Sequence, residues 1–193
     1  MISGFYQMKY LLKNNRDGAA SVYRTTVEVS QDERNIYFNF VAEHSNYYCP
    51  YHNYNDIHSC GDAVEILIGI DPARKTYYEL EVNPDNSKML AKMTVTELDG
   101  DGAAKLNIEF VDEKDCFFTS STAKTSGGYI ACIVIDKVRL NMPVEQIYFN
   151  AYRLETDGGE TEKHLFALNP TMCGKFHVPT RYVMLRDYLS PEK

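Results

Sequence analysis

Asp62 and Glu65 are the residues from which chemistry can start. They lie in residues 61–83, GDAVEILIGIDPARKTYYELEVN, where Glu65 interrupts a run that is otherwise apolar. A carboxylate among such neighbours must be paired, hydrogen-bonded or part of a site. Arg153, in EQIYFNAYRLE, is the cation best suited to join them. Its guanidinium presents a fixed fork of donors, matched to carboxylates and to the hydroxyl or ring oxygens of a polar ligand. Two outcomes follow. Asp62, Glu65 and Arg153 either hold a hydroxyl-rich ligand or brace the protein against itself.

Other groups surround this set. Residues 44–60, HSNYYCPYHNYNDIHSC, carry no periodicity and are dense in tyrosine, histidine and asparagine. A loop of that length without regular structure is usually functional. Tyr51, Tyr54 and His58 would form a stacking platform with polar tips, or would simply pack the loop down. Cys49, His52, His58 and Cys60 have the donor types of a tetrahedral zinc site, although His-x-Cys is tighter than the usual knuckle. His177, in KFHVP, is either a ligand contact or a ring that bonds a loop carbonyl and locks the C-terminal strand.

Catalytic patterns are scarce. There is no gly-x-ser-x-gly elbow, P-loop or dinucleotide glycine pattern. Glu65 with Glu79 or Glu81 makes a glycosidase acid pair only in principle, because strand acids on hairpins are more often solvated or bridged. Seven Met and five His would allow haem ligation, yet no spacing favours it.

The elements that position these groups read as strands. Val64, Ile66, Ile68 and Ile70 alternate with Ala63, Glu65, Leu67 and Gly69, the period of two that marks a strand. Asp71-Pro72-Ala73-Arg74-Lys75 is a turn. The return strand puts Tyr78, Leu80 and Val82 on one face and Tyr77, Glu79, Glu81 and Asn83 on the other. Similar alternation recurs at 21–30, 35–43, 88–98, 105–111, 129–136 and 145–155, with shorter apolar pieces at 116–120, 165–168 and 182–185. Residues 136–142 suggest one helical turn, and no 3.6-residue apolar repeat is sustained. The pattern predicts one all-β domain over 1–193: an antiparallel β-sandwich of jelly-roll or immunoglobulin-like type, with about ten strands and little helix.

Composition narrows the partners. The 193 residues carry a net charge of −7, which disfavours nucleic acid and anionic lipid alike. Fifteen Tyr and nine Phe, with no Trp, suit pleated surfaces and polar ligands. Five scattered cysteines do not make a secreted disulfide framework. The first residues, MISGFYQMKYLLKNN, lack the apolar core of an export signal, and no apolar run reaches the ~20 residues of a membrane span. The expectation is a soluble, cytoplasmic protein, unless an export signal was removed upstream. Nothing here sets an oligomeric state.

GDAVEILIGID, TYYELEVNP, QIYFNAYRLE and ALNPTMCGKFHVPTRYVML occur in that order. Together they resemble family 9 of the carbohydrate-binding modules and its DOMON-like relatives, over about residues 21–185. The resemblance implies a sandwich of two antiparallel sheets. It also implies sugar binding without catalysis, often beside a glycoside hydrolase, with no required cofactor and sometimes a structural calcium ion. Carried over position by position, it points to Asp62, Glu65, Arg153 and His177 as ligand contacts. It also shows a departure. The family's stacking aromatic before the gly-asp pair is replaced here by His58-Ser59-Cys60, which leaves stacking to the loop tyrosines.

Overall fold

A computed structural model describes residues 8–56, 61–159 and 163–189. The strands are β1 (Lys9–Leu11), β2 (Lys13–Asn14), β3 (Thr25–Gln31), β4 (Asn35–Glu43), β5 (Ala63–Gly69), β6 (Thr76–Val82) and β7 (Lys88–Leu98). They continue with β8 (Ala104–Phe110), β9 (Phe118–Thr125), β10 (Gly128–Asp136), β11 (Tyr148–Glu155), β12 (His164–Ala167) and β13 (Val183–Met184). One helical turn, α1 (Lys137–Leu140), follows β10 as the sequence predicts; the Asp136 carboxylate caps it by accepting from the Val138 and Arg139 amides.

These strands form the expected sandwich. One sheet has the order β1-β3-β4-β10-β9; the other runs β2-β12-β11-β5-β6-β7-β8, with β13 also paired to β11. Every pairing described is antiparallel. Between the sheets, Val64, Ile66, Ile68, Leu80 and Val82 share a core with Phe38, Phe40, Ile133 and Phe149. β1 and β2 are too short to announce themselves by alternation. β9 reaches Thr125, past the expected 116–120, because its mostly Ser/Thr/Lys residues carry little apolar signal.

β5 is buried at every position, which explains why it reads as apolar on both faces. Its outer side meets a second cluster, Leu67, Tyr77, Ala91, Met93, Tyr152, Ala167 and Tyr182, with Phe176 packed against it. The cover is the loop over residues 168–182, and two asparagines hold it. Asn150 donates to the Asn169 carbonyl at 2.8 Å and accepts from the Asn169 amide at 3.0 Å. Asn15 accepts from the Thr171 amide at 2.9 Å and donates to the Lys175 carbonyl at 2.9 Å. A loop so tied keeps few of its backbone groups unsatisfied while it lies on a sheet.

Gly128, at the start of β10, has φ +147, and a β-carbon there would collide with the Ala42 carbonyl oxygen. Only glycine permits that approach of β10 to β4. Among the described residues, no helix is long and apolar enough to cross a membrane.

Candidate ligand-binding site

Strand alternation gathers three acids on the outer face of the larger sheet. Glu79 and Glu81 are two apart on β6, and Glu65 on β5 is the direct register partner of Glu81. Their exposures are only 4% (Glu65), 5% (Glu79) and 6% (Glu81). One carboxylate oxygen from each lies within 4.8 Å of the other two. They line a cavity of about 460 Å³ with Met89 and Met93 of β7, Ile108 and Phe110 of β8, and Phe176 and His177 of the covering loop. The result is an acidic floor between apolar walls.

Electrostatics follow from that crowding. Burial pushes the Glu65 carboxyl well above the ordinary carboxylate range, and the charges of Glu81 and Glu79 push it further. Burial, then Glu81, raises Glu79 in the same way. Desolvation and like charge both favour the neutral acid. His177 moves the other way: burial lowers its imidazole to about 4. Its Nδ1 is 3.0 Å from the Tyr77 hydroxyl and its Nε2 is 3.4 Å from Glu79 Oε1. A neutral ring accepting from Tyr77 at Nδ1 carries its proton on Nε2, facing Glu79. Phe176 stacks on Tyr152 with ring centroids 4.3 Å apart, and the Tyr152 hydroxyl donates to the Phe176 carbonyl at 2.9 Å.

Glu65 and His177 therefore meet at one cavity, while Asp62 and Arg153 lie elsewhere. Arg153 is opposite Val64 in the β11–β5 ladder, so its side chain enters the interior on the inward face. It is wholly buried, and Nη1 donates to Thr25 Oγ1 at 2.9 Å and to the Glu43 carbonyl at 2.7 Å. The guanidinium lies over the Tyr129 ring at 5.6 Å, with Nη2 3.9 Å from Asp62 Oδ1. Asp62 Oδ2 accepts from the Tyr48 amide at 3.0 Å and Thr156 Oγ1 at 2.7 Å; burial raises its carboxyl even so. The single cluster expected of Asp62, Glu65 and Arg153 is thus two clusters on opposite faces of one sheet, and the Arg153 pair is the internal brace.

The tyrosine loop is likewise divided. Tyr54 packs against the interior cluster and its hydroxyl is buried near Cys116, away from the acids. The Tyr51 ring lies beside Gly61, and the Tyr51 carbonyl accepts from Asn83 Nδ2 at 2.8 Å. His58 and Cys60, named as ligand contact and zinc donors, lie outside the described residues. Of the other two zinc donors, the Cys49 thiol is pushed up to about 12 by burial, and the backbone amide of exposed His52 donates to Asp56.

Calcium prefers oxygen ligands, and two groups among the described residues bring acidic oxygens together. The three glutamates offer one set. The other is His44 with Glu155 and Asp157, where His44 Nδ1 already meets Glu155 at 2.9 Å and Nε2 meets Asp157 at 3.3 Å. Sequence reasoning undervalued Glu79 and Glu81 and missed Tyr77, Tyr152 and Phe176. The strand pattern did contain the first three, since Tyr77, Glu79 and Glu81 share the outward face of β6.

No family model and no curated protein matches the chain. Solved structures do. A proposed carbohydrate-binding protein from Bacteroides uniformis superposes with a TM-score of 0.71 at 13% identity, covering 91% of this chain and 84% of the other. A family 9 carbohydrate-binding module from Caldicellulosiruptor kristjanssonii, in complex with glucose, gives 0.58 at 12% identity, covering 90% and 82%. The same kind of module in complex with cellotriose gives 0.61 at 12%, covering 91% and 79%. At these identities the likeness is one of architecture: the chain shares the β-sandwich fold of the family 9 carbohydrate-binding modules.

Proposed function

We propose that this protein binds carbohydrate without catalysis, at the acidic trough on the outer face of the larger sheet. The observation that carries the reading is the convergence of Glu65, Glu79 and His177 on a cavity of about 460 Å³. That cavity sits on a fold shared with modules bound to glucose and cellotriose. Carboxyl groups accept sugar hydroxyls, or donate when protonated. Met89, Met93 and Phe176 give the C–H face of a sugar ring an apolar surface. In this reading Asp62 and Arg153 support the site from behind by holding β5 and β11 in place.

A glycoside hydrolase flanks the scissile bond with two carboxyls about 5 Å or more apart on opposite sides. Here the acids crowd along one hairpin, which suits holding better than cleaving. Calorimetric titration with glucose, cellotriose and xylo-oligosaccharides tests the reading. Saturable heats that weaken in Glu79→Gln support it; no heat with any sugar at millimolar concentration removes it.

A further inference from the structure

The larger sheet ends on β8, whose outer edge has no strand beside it among the described residues. The Val111 amide donates inward to the Leu90 carbonyl at 2.9 Å. By alternation Asn107 and Glu109 also bond inward to β7, and the N–H and C=O groups of Leu106, Ile108 and Phe110 point off the sheet. An edge of this kind is a template for another strand unless charge, proline or a cover blunts it. Here the side chains invite pairing instead: Ile108 is 51% and Phe110 48% exposed, and no proline interrupts the strand. β9, the long edge of the smaller sheet, differs, because past buried Phe118 it carries mostly Ser, Thr and Lys.

The order of residues on β8 says what fits there. In KLNIEF, Lys105 and Glu109 lie two positions either side of Asn107, and Leu106 and Ile108 one position either side. An antiparallel copy centred on Asn107 therefore sets Lys105 opposite Glu109 and Leu106 opposite Ile108, while the outward backbone groups of Leu106 and Ile108 bond each other. We propose that β8 pairs with β8 of a second copy of this chain in that register, joining the two larger sheets about a two-fold axis. Opposite charges and apolar residues are the stabilising cross-strand pairs, and an isologous contact closes on itself rather than growing into a fibre. Lys105 already meets Glu97 at 2.7 Å, with both side chains more than 60% exposed, and such a surface pair holds little; the lysine then bridges Glu97 and the incoming Glu109. Seven residues a side is fewer than the ~20–30 of a standard interface, and the net charge of −7 opposes approach, so the dimer forms at high micromolar concentration. Strand parity keeps Leu106, Ile108 and Phe110 of both copies on one face. The two troughs then open the same way, with their β6 floors five strand spacings, about 24 Å, apart.

The test is sedimentation velocity of the full chain from low micromolar to near-millimolar concentration, without added sugar, so the outcome is independent of what the trough binds. The expected result is a monomer that converts to a dimer as concentration rises. Lys105→Glu alone sets acid against acid and Glu109→Lys alone sets lysine against lysine, so each should dimerise about tenfold more weakly or not at all. Mixed in equal amounts, the two variants restore both opposite-charge pairs and should form a heterodimer, which also shows that each is folded. A monomer throughout the range overturns the inference. So does dimerisation of both single variants at the strength of the unaltered chain, and so does a mixture that stays monomeric.

Discussion

Glu65 and Glu81 stand directly opposite each other in the β5–β6 ladder, like charges at a cross-strand position where opposite charge or apolar contact is the stabilising choice. Phe176 and His177 of the covering loop line a cavity beside them. Glu65→Gln keeps the shape and removes the charge, so stability at pH 8 should rise by about 1 kcal/mol in urea denaturation. A loss of stability would mean the carboxylate is doing structural work.

The raised carboxyls also set a pH trend. Glu65 and Glu79 hold their protons in the folded state above the pH at which the unfolded chain releases them. The folded form then binds more protons, so stability falls as pH rises from the ordinary carboxylate range through the raised values. Glu65→Gln should flatten that decline between pH 5 and 8, measured as the change in urea midpoint.

His177 acts with the opposite sign. Its ring titrates near 4 when folded and near 6.5 when unfolded. The unfolded chain binds the extra proton between those values, so stability is lost as pH falls from 6.5 toward 4. The loss is at most about 3 kcal/mol. His177→Gln should remove this acid limb while keeping a hydrogen-bonding group beside Tyr77; an unchanged limb would assign it to other groups.

Arg153 is the largest wholly buried side chain among the described residues. Replacing it with Met leaves Asp62 buried without its cation and frees Thr25 and the Glu43 carbonyl. Removing one partner of such a pair costs about 3–5 kcal/mol. The double variant Arg153→Met with Asp62→Asn should recover part of that loss, read by chemical denaturation.

How much of this was legible follows from what a strand pattern contains. Alternation in 63–69 and 76–82 shows which residues share a face, and it sorted Tyr77, Glu79 and Glu81 from Tyr78, Leu80 and Val82 correctly. It also placed Arg153 with Phe149 and Ala151, on the face that proves to be interior. Grouping Arg153 with Glu65 ignored that parity: Glu65 pairs in register with Tyr152, the neighbour that points outward. The covering loop was the harder part. Residues 168–182 are held by Asn15 and Asn150, one of them more than 150 positions away, and nothing local in the chain states that partnership.

Phe176 tests whether the loop forms part of the binding surface. Phe176→Ala removes the ring stacked on Tyr152 and one apolar wall of the trough. Affinity for the best-bound oligosaccharide should fall on the order of tenfold, with a smaller effect on stability than Arg153→Met. The same affinity in the variant would place the ligand elsewhere.

Gly128 links remote parts of the molecule. It sits in register with Glu43, whose carbonyl receives the Arg153 guanidinium, and any side chain there would strike Ala42. Enlarging it by a single methyl group should therefore push β4 off its seat, withdraw an acceptor from a cation on the opposing sheet, and unsettle the strand whose preceding residue, Tyr152, supports the roof of the trough. A substitution on the far layer would then be felt as a binding defect, a route from one sheet to the other that no contact with the ligand would reveal.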